Sequence, residues 1–358
     1  MDNTIPLKKV TAFLFLLSLS LQAQTFETLV SNSNTFLASL TESQRESMNF
    51  DFRNESRTKW TNLPVGMMPR KGVKIGEFSA ESKVALHHVF TTVLSSQGYL
   101  KVTGIMTLDD ILNMIYKDRL DKGEISENQY KRMMDLDWER DNFFVSFYGT
   151  PDLKEPWGIN IGGHHIGFHI TAGDGDFSMT PLFLGTDPSE VLTTEYAGLR
   201  VLSKEEDYGF LFINALNEAQ KAKATQTIET PKDIVTSPDR PQMITKYSGI
   251  KASELNSSQK ELLEVVIKEY INNLNFGKAK EAFSKIEAAG FDNIYFSWIG
   301  SYEPHQNHYY VINGPTFLIE YDNAGFQSKA DHIHCIYREK GNDFGEDILK
   351  SHYSHHKH

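Results

Sequence analysis

The sequence predicts an α+β fold, with a helical N-terminal half and further helices packed on a C-terminal antiparallel β-meander. Three observations carry that expectation. Between residues 79 and 115 apolar side chains recur every three or four positions, as one face of a helix requires. The same spacing returns at Leu263, Val266, Ile267, Tyr270, Ile271 and Leu274. After residue 293 the pattern changes to short apolar runs, and Asn313-Gly314 between two of them signals a hairpin, because both residues tolerate positive φ.

The first element is the N-terminus. Lys8 and Lys9 precede an apolar run from Val10 to Leu21, and Ala23 offers a small residue for cleavage. Residues 1–23 therefore read as a secretory signal peptide, and the run falls short of the roughly 20 apolar residues a spanning helix needs. The mature protein is expected to be exported, periplasmic or secreted. Thr41 with Gln44 forms a capping box for a short helix. Ser79 caps a helix with Ala85, Leu86, Val89, Val93 and Leu94 on one face and Gly98 at its end; Thr107 opens the next, with Ile111, Leu112 and Ile115. Phe143–Phe147 reads as a strand. Residues 156–187 are Gly-rich and alternating, which suggests paired strands around Gly173–Gly175.

Ser203 with Glu206 reads as a capping box for a helix burying Tyr208, Leu211, Phe212 and Ala215. Residues 222–245 hold Pro231, Pro238 and Pro241 among polar residues, so they form a surface excursion or a lobe boundary within a single domain over 24–350. Ser258 with Glu261 starts the helix of the second stripe, and a further helix over 278–289 ends at Gly290. Ile294–Ile299, His308–Ile312, Thr316–Tyr321 and His332–Tyr337 are the four strands of the meander, joined by short connections. Residues 351–358 are a His-rich tail.

Composition narrows the function. The formal net charge of −11 disfavours nucleic acid and anionic lipid as partners, and no stretch suggests stable membrane insertion. The single Cys335 excludes an internal disulfide, which a chain of this length does not need. No Gly-x-Ser-x-Gly elbow, phosphate loop, His-Glu-x-x-His motif or dinucleotide fingerprint is present.

The chemistry lies in the 13 histidines. His332 and His334 are two apart in a strand, so both leave the same face, with Cα atoms roughly 7 Å apart. They can converge on one metal ion, or sit as a surface pair on an edge strand. In Gly162-Gly163-His164-His165, a strand would put His164 with Ile166 and His165 with His169. The glycines would let another group approach, so one of the two histidines is a candidate third ligand and the other its support; a buried His bonded to a carbonyl is the competing reading. Glu320 sits in an apolar strand, where a carboxylate is costly unless paired, metal-bound or proton-sharing. It and Arg338 are the candidate catalytic groups, a salt bridge between them being the alternative. The tail group His352, His355, His356 and His358 reads as a solvated end.

Motifs spread along the chain resemble those of a family. They include Leu94-Ser95-Ser96-Gln97-Gly98-Tyr99, Pro156-Trp157-Gly158 leading to Gly163-His164-His165, and Thr180-Pro181-Leu182-Phe183-Leu184-Gly185. Gly76-Glu77, Gly198-Leu199-Arg200, Phe296-Ser297-Trp298-Ile299-Gly300, His308-Tyr309-Tyr310, Gly314-Pro315 to Glu320-Tyr321-Asp322, and His332-Ile333-His334 followed by Arg338, Asp343-Phe344-Gly345, Asp347, Leu349 and His352-Tyr353 complete the set. Together they resemble the bacterial "domain of unknown function 3500" family over nearly the whole mature chain, and the resemblance brings no reaction with it. Asp331 stands where members often have Asn, and His169 where another polar residue is expected. The resemblance therefore counts against His169 as a ligand and in favour of His352.

Two functions of different class follow. The first is an exported metal-dependent hydrolase or oxidoreductase. Its ligands would come from His164, His165, His332, His334 and His352, and its ion would be zinc, copper or iron. The second is a non-catalytic module of the cell envelope, in which Trp157, Trp298, Tyr309 and Tyr310 line a groove for a small-molecule or envelope ligand.

Overall fold

A computed structural model describes residues 24–238, 244–324 and 330–355. The expected signal peptide, His356 and His358 lie outside the described residues. Ten α-helices are described: α1 (24–38), α2 (Glu42–Met48), α3 (Ala80–Val93), α4 (Ser96–Asp121), α5 (Glu127–Met134), α6 (Ser203–Asn214), α7 (Glu218–Ala224), α8 (Ser257–Ile271), α9 (Phe276–Ala288) and α10 (Glu346–His355). Twelve strands form one sheet: β1 (Asn49–Phe50), β2 (Val73–Lys74), β3 (Phe144–Tyr148), β4 (Trp157–Gly163), β5 (Ile166–Gly173), β6 (Asp176–Ser178), β7 (Leu182–Thr186), β8 (Ile250–Lys251), β9 (Tyr295–Gly300), β10 (His308–Asn313), β11 (Phe317–Asn323) and β12 (Ile333–Glu339). The fold is α+β, as expected.

The strand order is β1-β3-β4-β5-β7-β12-β11-β10-β9-β8, with β2 on β3 and β6 on β5. The C-terminal meander is thus the second half of a longer sheet, joined to the first half where β7 pairs antiparallel with β12. In that joint His334 lies opposite Gly185 and Cys335 opposite Leu184. The same β7 pairs with β5, Ile166 opposite Leu184, so the β4–β5 turn reaches the end of β12. Segments over a hundred residues apart in sequence meet there.

Paired residues share a face of the sheet. One face carries Ile161, Phe168, Leu184, Cys335, Tyr321, Tyr310 and Trp298 and packs on the helices in a single apolar cluster running from Phe26 to Tyr337. Helix α8 contributes Leu263, Val266, Ile267, Tyr270 and Ile271, all buried; each such side chain adds about 1.5–3 kcal/mol by leaving water. The other face carries Ser146, Asn160, His169, Phe183, His334, Ile336, Arg338, Glu320 and Asp322. Irregular chain covers it: Trp60 and Ile234 pack on Phe183 and Ile336. Every residue of β11 is consequently buried, so Glu320 is in a covered layer although its strand reads as apolar.

Several element boundaries differ from the sequence-based expectation. Gly98 does not end α3; it lies in the first turn of α4, where a Cβ would come within 2.1 Å of the Asn273 carbonyl oxygen. α4 runs unbroken through Thr107, whose hydroxyl donates to the Thr103 carbonyl. Ser203 and Glu206 form no capping box: Leu202 is the N-cap, and Glu206 is bound by Arg200 and Asn323 instead. The box of α8 is Asn256 with Gln259, two residues before the expected pair. Asn313 and Gly314 both keep negative φ. Gly314 is required for space, since a Cβ there would sit 2.3 Å from the Phe317 ring.

Candidate metal centre

His164 and His165 are the two central residues of the β4–β5 hairpin, because Gly163 pairs with Ile166. They are not strand residues, so alternation does not apply to them. His165 has φ 64°, a conformation that costs a side-chain-bearing residue on the order of 1 kcal/mol and marks sites where surroundings impose it. Its backbone is held from two sides: its N–H donates to the Asn62 carbonyl (3.2 Å), and its carbonyl accepts from Gly185 N–H (2.8 Å). The ring is thereby turned over the β7–β12 joint.

There it meets the His-x-His at the start of β12, of which His332 lies one residue before the strand. His165 Nε2 lies 2.7 Å from His332 Nε2, and His332 Nε2 lies 3.0 Å from His334 Nε2. All three nitrogens fall within 4.8 Å of one another and all three residues are buried. Burial, then the neighbouring imidazoles, push the His165 and His332 pKa values well down, so both rings are neutral near pH 7. A hydrogen on the central His332 Nε2 can point at one neighbour, not both; a cation between the rings engages all three lone pairs. Nitrogens 2.0–2.1 Å from one tetrahedral zinc ion lie roughly 3.3 Å apart, so small outward shifts of the rings would fit such an ion.

A carboxylate orients the outer nitrogen of His334, and two more stand near the rings. Asp233 Oδ1 accepts from His334 Nδ1 at 2.7 Å, which places the hydrogen there and leaves Nε2 as a lone pair. Burial opposes the Asp233 charge, but His334, the Ile234 N–H and the Asn62 side chain outweigh it and hold this carboxyl below its usual range. Asp187 Oδ2 stands 3.6 Å from His332 Nδ1, and burial raises its pKa to about 6. Asp322 lies directly across from His334 on the neighbouring strand; its Oδ1 is buried without a partner, and burial lifts it to about 8. Gly185 makes room for the rings: a Cβ there would sit 3.0 Å from Cδ2 of both His165 and His334.

The remaining candidates are placed elsewhere. His164 stacks on the His165 ring at 3.8 Å, but its Nδ1 is taken by Asp109 Oδ1 at 2.6 Å, so it backs His165 from α4. His352 bonds Asp174 in the β5–β6 turn (3.0 Å); the eight residues of β5 separate that turn from His165, roughly 25 Å of strand. Both Glu320 oxygens are spent on residues 235–236 and Tyr309: Oε2 accepts from Val235 N–H and Tyr309 Oη, each at 2.7 Å, and Oε1 from the Thr236 N–H (3.0 Å) and hydroxyl. Arg338 donates to the Thr236 carbonyl (2.8 Å) and hydroxyl (3.3 Å) and pairs with Asp343. The expected catalytic pair is thus a clamp on the segment that carries Asp233, and the two groups meet through Thr236 rather than as a salt bridge. The proposed groove aromatics Trp157, Trp298, Tyr309 and Tyr310 are all buried, three of them in the core beneath the helices.

Sequence reasoning missed Asp109, Asp187, Asp233, Asp322 and Gly185. Asp109 left a trace, lying four after Ile105 and three before Leu112 on an otherwise apolar face. Asp233 left none, because its role depends on a chain crossing the sheet.

A family model described as "Protein of unknown function (DUF3500)" matches residues 22–346, and the chain belongs to that family. No curated protein and no solved structure matches it.

Proposed function

For this member of the family, we propose that it is an exported metal-dependent enzyme whose single ion is held by His165, His332 and His334. The observation that carries the reading is the convergence of three buried Nε2 atoms, one of them on a ring bonded through Nδ1 to Asp233. Three histidines leave a fourth position, as catalytic zinc sites do. When bound there, such an ion lowers the pKa of a water and polarises a substrate oxygen. The protein's own part is to present lone pairs, to hold the His334 ring through Asp233, and to offer the Asp322 carboxyl, raised to about 8 and so protonated near pH 7, as a proton donor beside His334. Imidazole ligands suit zinc, copper and iron alike; the reading proposed is zinc-dependent hydrolysis, which an open fourth position and a nearby carboxylate support.

Export rests on the Lys8-Lys9 and Val10–Leu21 pattern. Among the described residues no helix is long and apolar enough to cross a membrane. N-terminal mass spectrometry of protein from the native host is expected to find a mature start near Ala23 or Gln24; Met1 retained in a cytoplasmic fraction would refute export. For the centre, growth with zinc followed by elemental analysis of untagged protein is expected to give about one zinc per chain.

A further inference from the structure

The polar face of the sheet holds a cleft of 540 Å³ beside the histidine centre, within the range that accommodates a small molecule. Trp60, Asn62, Arg70, Asn160, His169 and Asp233 are among its walls. Two of these also belong to the centre: the Asn62 carbonyl accepts from His165 N–H, and Asp233 accepts from His334. The cleft therefore ends against the back of the metal-binding rings.

His169 has no evident structural reason to be a histidine. It is 2% exposed, yet neither ring nitrogen has a hydrogen-bond partner. A buried polar group left so costs about 1–3 kcal/mol, and a phenyl ring of similar shape would avoid the cost. Its neighbours are Trp60 and Phe344, with ring centroids 6.1 and 5.0 Å away. Arg70 adds a second unspent donor. Its terminal nitrogens bond the carbonyls of Thr61, Leu63, Met68 and Gly163, but its buried Nε has no partner, and no carboxylate pairs with it among the described residues. Arg57, close enough to influence His169, likewise bonds only Thr171 and the Phe344 carbonyl. Lys59 and Lys71 also line the cleft. Lys59 pairs with Glu55 (3.0 Å) and Asp233 shares the wall, which leaves Arg70 and Lys71 as the lining cations with no ion pair among the described residues.

We propose that this cleft binds a small organic carboxylate, its anionic end drawn to Arg70, its flat body against Trp60, and a hydrogen-bonding group at His169. Two single donors, far fewer than a phosphate requires, suit a carboxylate with one further polar group. The proposal goes beyond the metal centre and does not need the ion.

The test uses the full mature chain and two probes of the same shape, 4-hydroxybenzoate and 4-hydroxybenzamide, titrated by calorimetry. The carboxylate is expected to bind at least tenfold more tightly than the amide. His169→Phe is expected to keep or raise the thermal midpoint while weakening 4-hydroxybenzoate at least tenfold. The His332→Asn/His334→Asn double variant is expected to lose metal and to bind the carboxylate within a few-fold of wild type. Equal binding of both probes, no binding by folded wild type, or full binding by His169→Phe overturns the proposal. A protein that holds one metal per chain and ignores both probes would sink the cleft and spare the centre; the converse pattern would do the reverse.

Discussion

At the scale of single residues, the site depends on side chains that are absent as well as present. Gly185 sits between His165 and His334, with the Ile333 carbonyl 2.8 Å from where a Cβ would be. Gly185→Ala must push at least one ring away. It is expected to weaken metal binding tenfold or more, with a stability loss of about 1–3 kcal/mol from overpacking, measured by metal titration and chemical denaturation of one preparation. His169 offers a pH test. Burial, then Arg338 and Arg57, push its pKa down to about 3, below the ordinary 6.5. The unfolded chain therefore binds the extra proton first as pH falls. The stability contribution is complete above pH 6.5 and is lost as pH drops towards 3. Relative to His169→Phe, wild type is expected to lose about 2 kcal/mol between pH 7.5 and pH 5. Parallel pH profiles of the two proteins would contradict that.

At the scale of elements, the β7–β12 joint and the segment 233–238 do the positioning. Glu320 and Arg338 hold Val235 and Thr236, and the same segment delivers Asp233 to His334. Glu320→Ala is expected to strand the Tyr309 hydroxyl and two backbone N–H groups. The expected cost is about 3 kcal/mol or more, with metal affinity falling about tenfold as Asp233 loosens. If metal affinity is unchanged in folded Glu320→Ala, the segment does not orient the centre. The elements differ in how legible they were. Period-two spacing put His332, one residue before β12, on the same side as His334, and the apolar stripe located α8 but ran on to Leu274, three residues past its end. The hairpin that carries His164 and His165 read as a strand, because adjacent histidines give no periodicity. Glu320 was rightly singled out as a carboxylate that needs partners. Apart from Tyr309, those partners, Val235 and Thr236, lie more than 80 residues away in sequence, in a Pro-containing stretch without a pattern.

For the whole molecule, the sheet is covered on both faces, by helices on one and irregular chain on the other. That arrangement makes the helical face a single cooperative core. Ile267 lies at its centre with no exposed surface, so Ile267→Asp is expected to cost roughly 4 kcal/mol or more through an unpaired buried charge; an unchanged thermal midpoint would show that α8 does not face the core. It also explains why the fold class, and His332 and His334 with a third ligand from His164 or His165, were legible while the carboxylates around them were not. The class follows from local spacing, whereas the site is assembled from the β4–β5 turn, β7, β12 and the 233–238 segment by pairings that no local pattern encodes.

The most direct test of the account is metal stoichiometry with paired variants. Untagged mature protein, equilibrated with zinc and freed of excess, is compared with His332→Asn/His334→Asn and with a tail variant lacking His355, His356 and His358. A centre built on His165, His332 and His334 gives about one zinc per chain in wild type and in the tail variant, and less than a tenth of that in folded double variant. Full zinc in the double variant, or none in folded wild type, would contradict it.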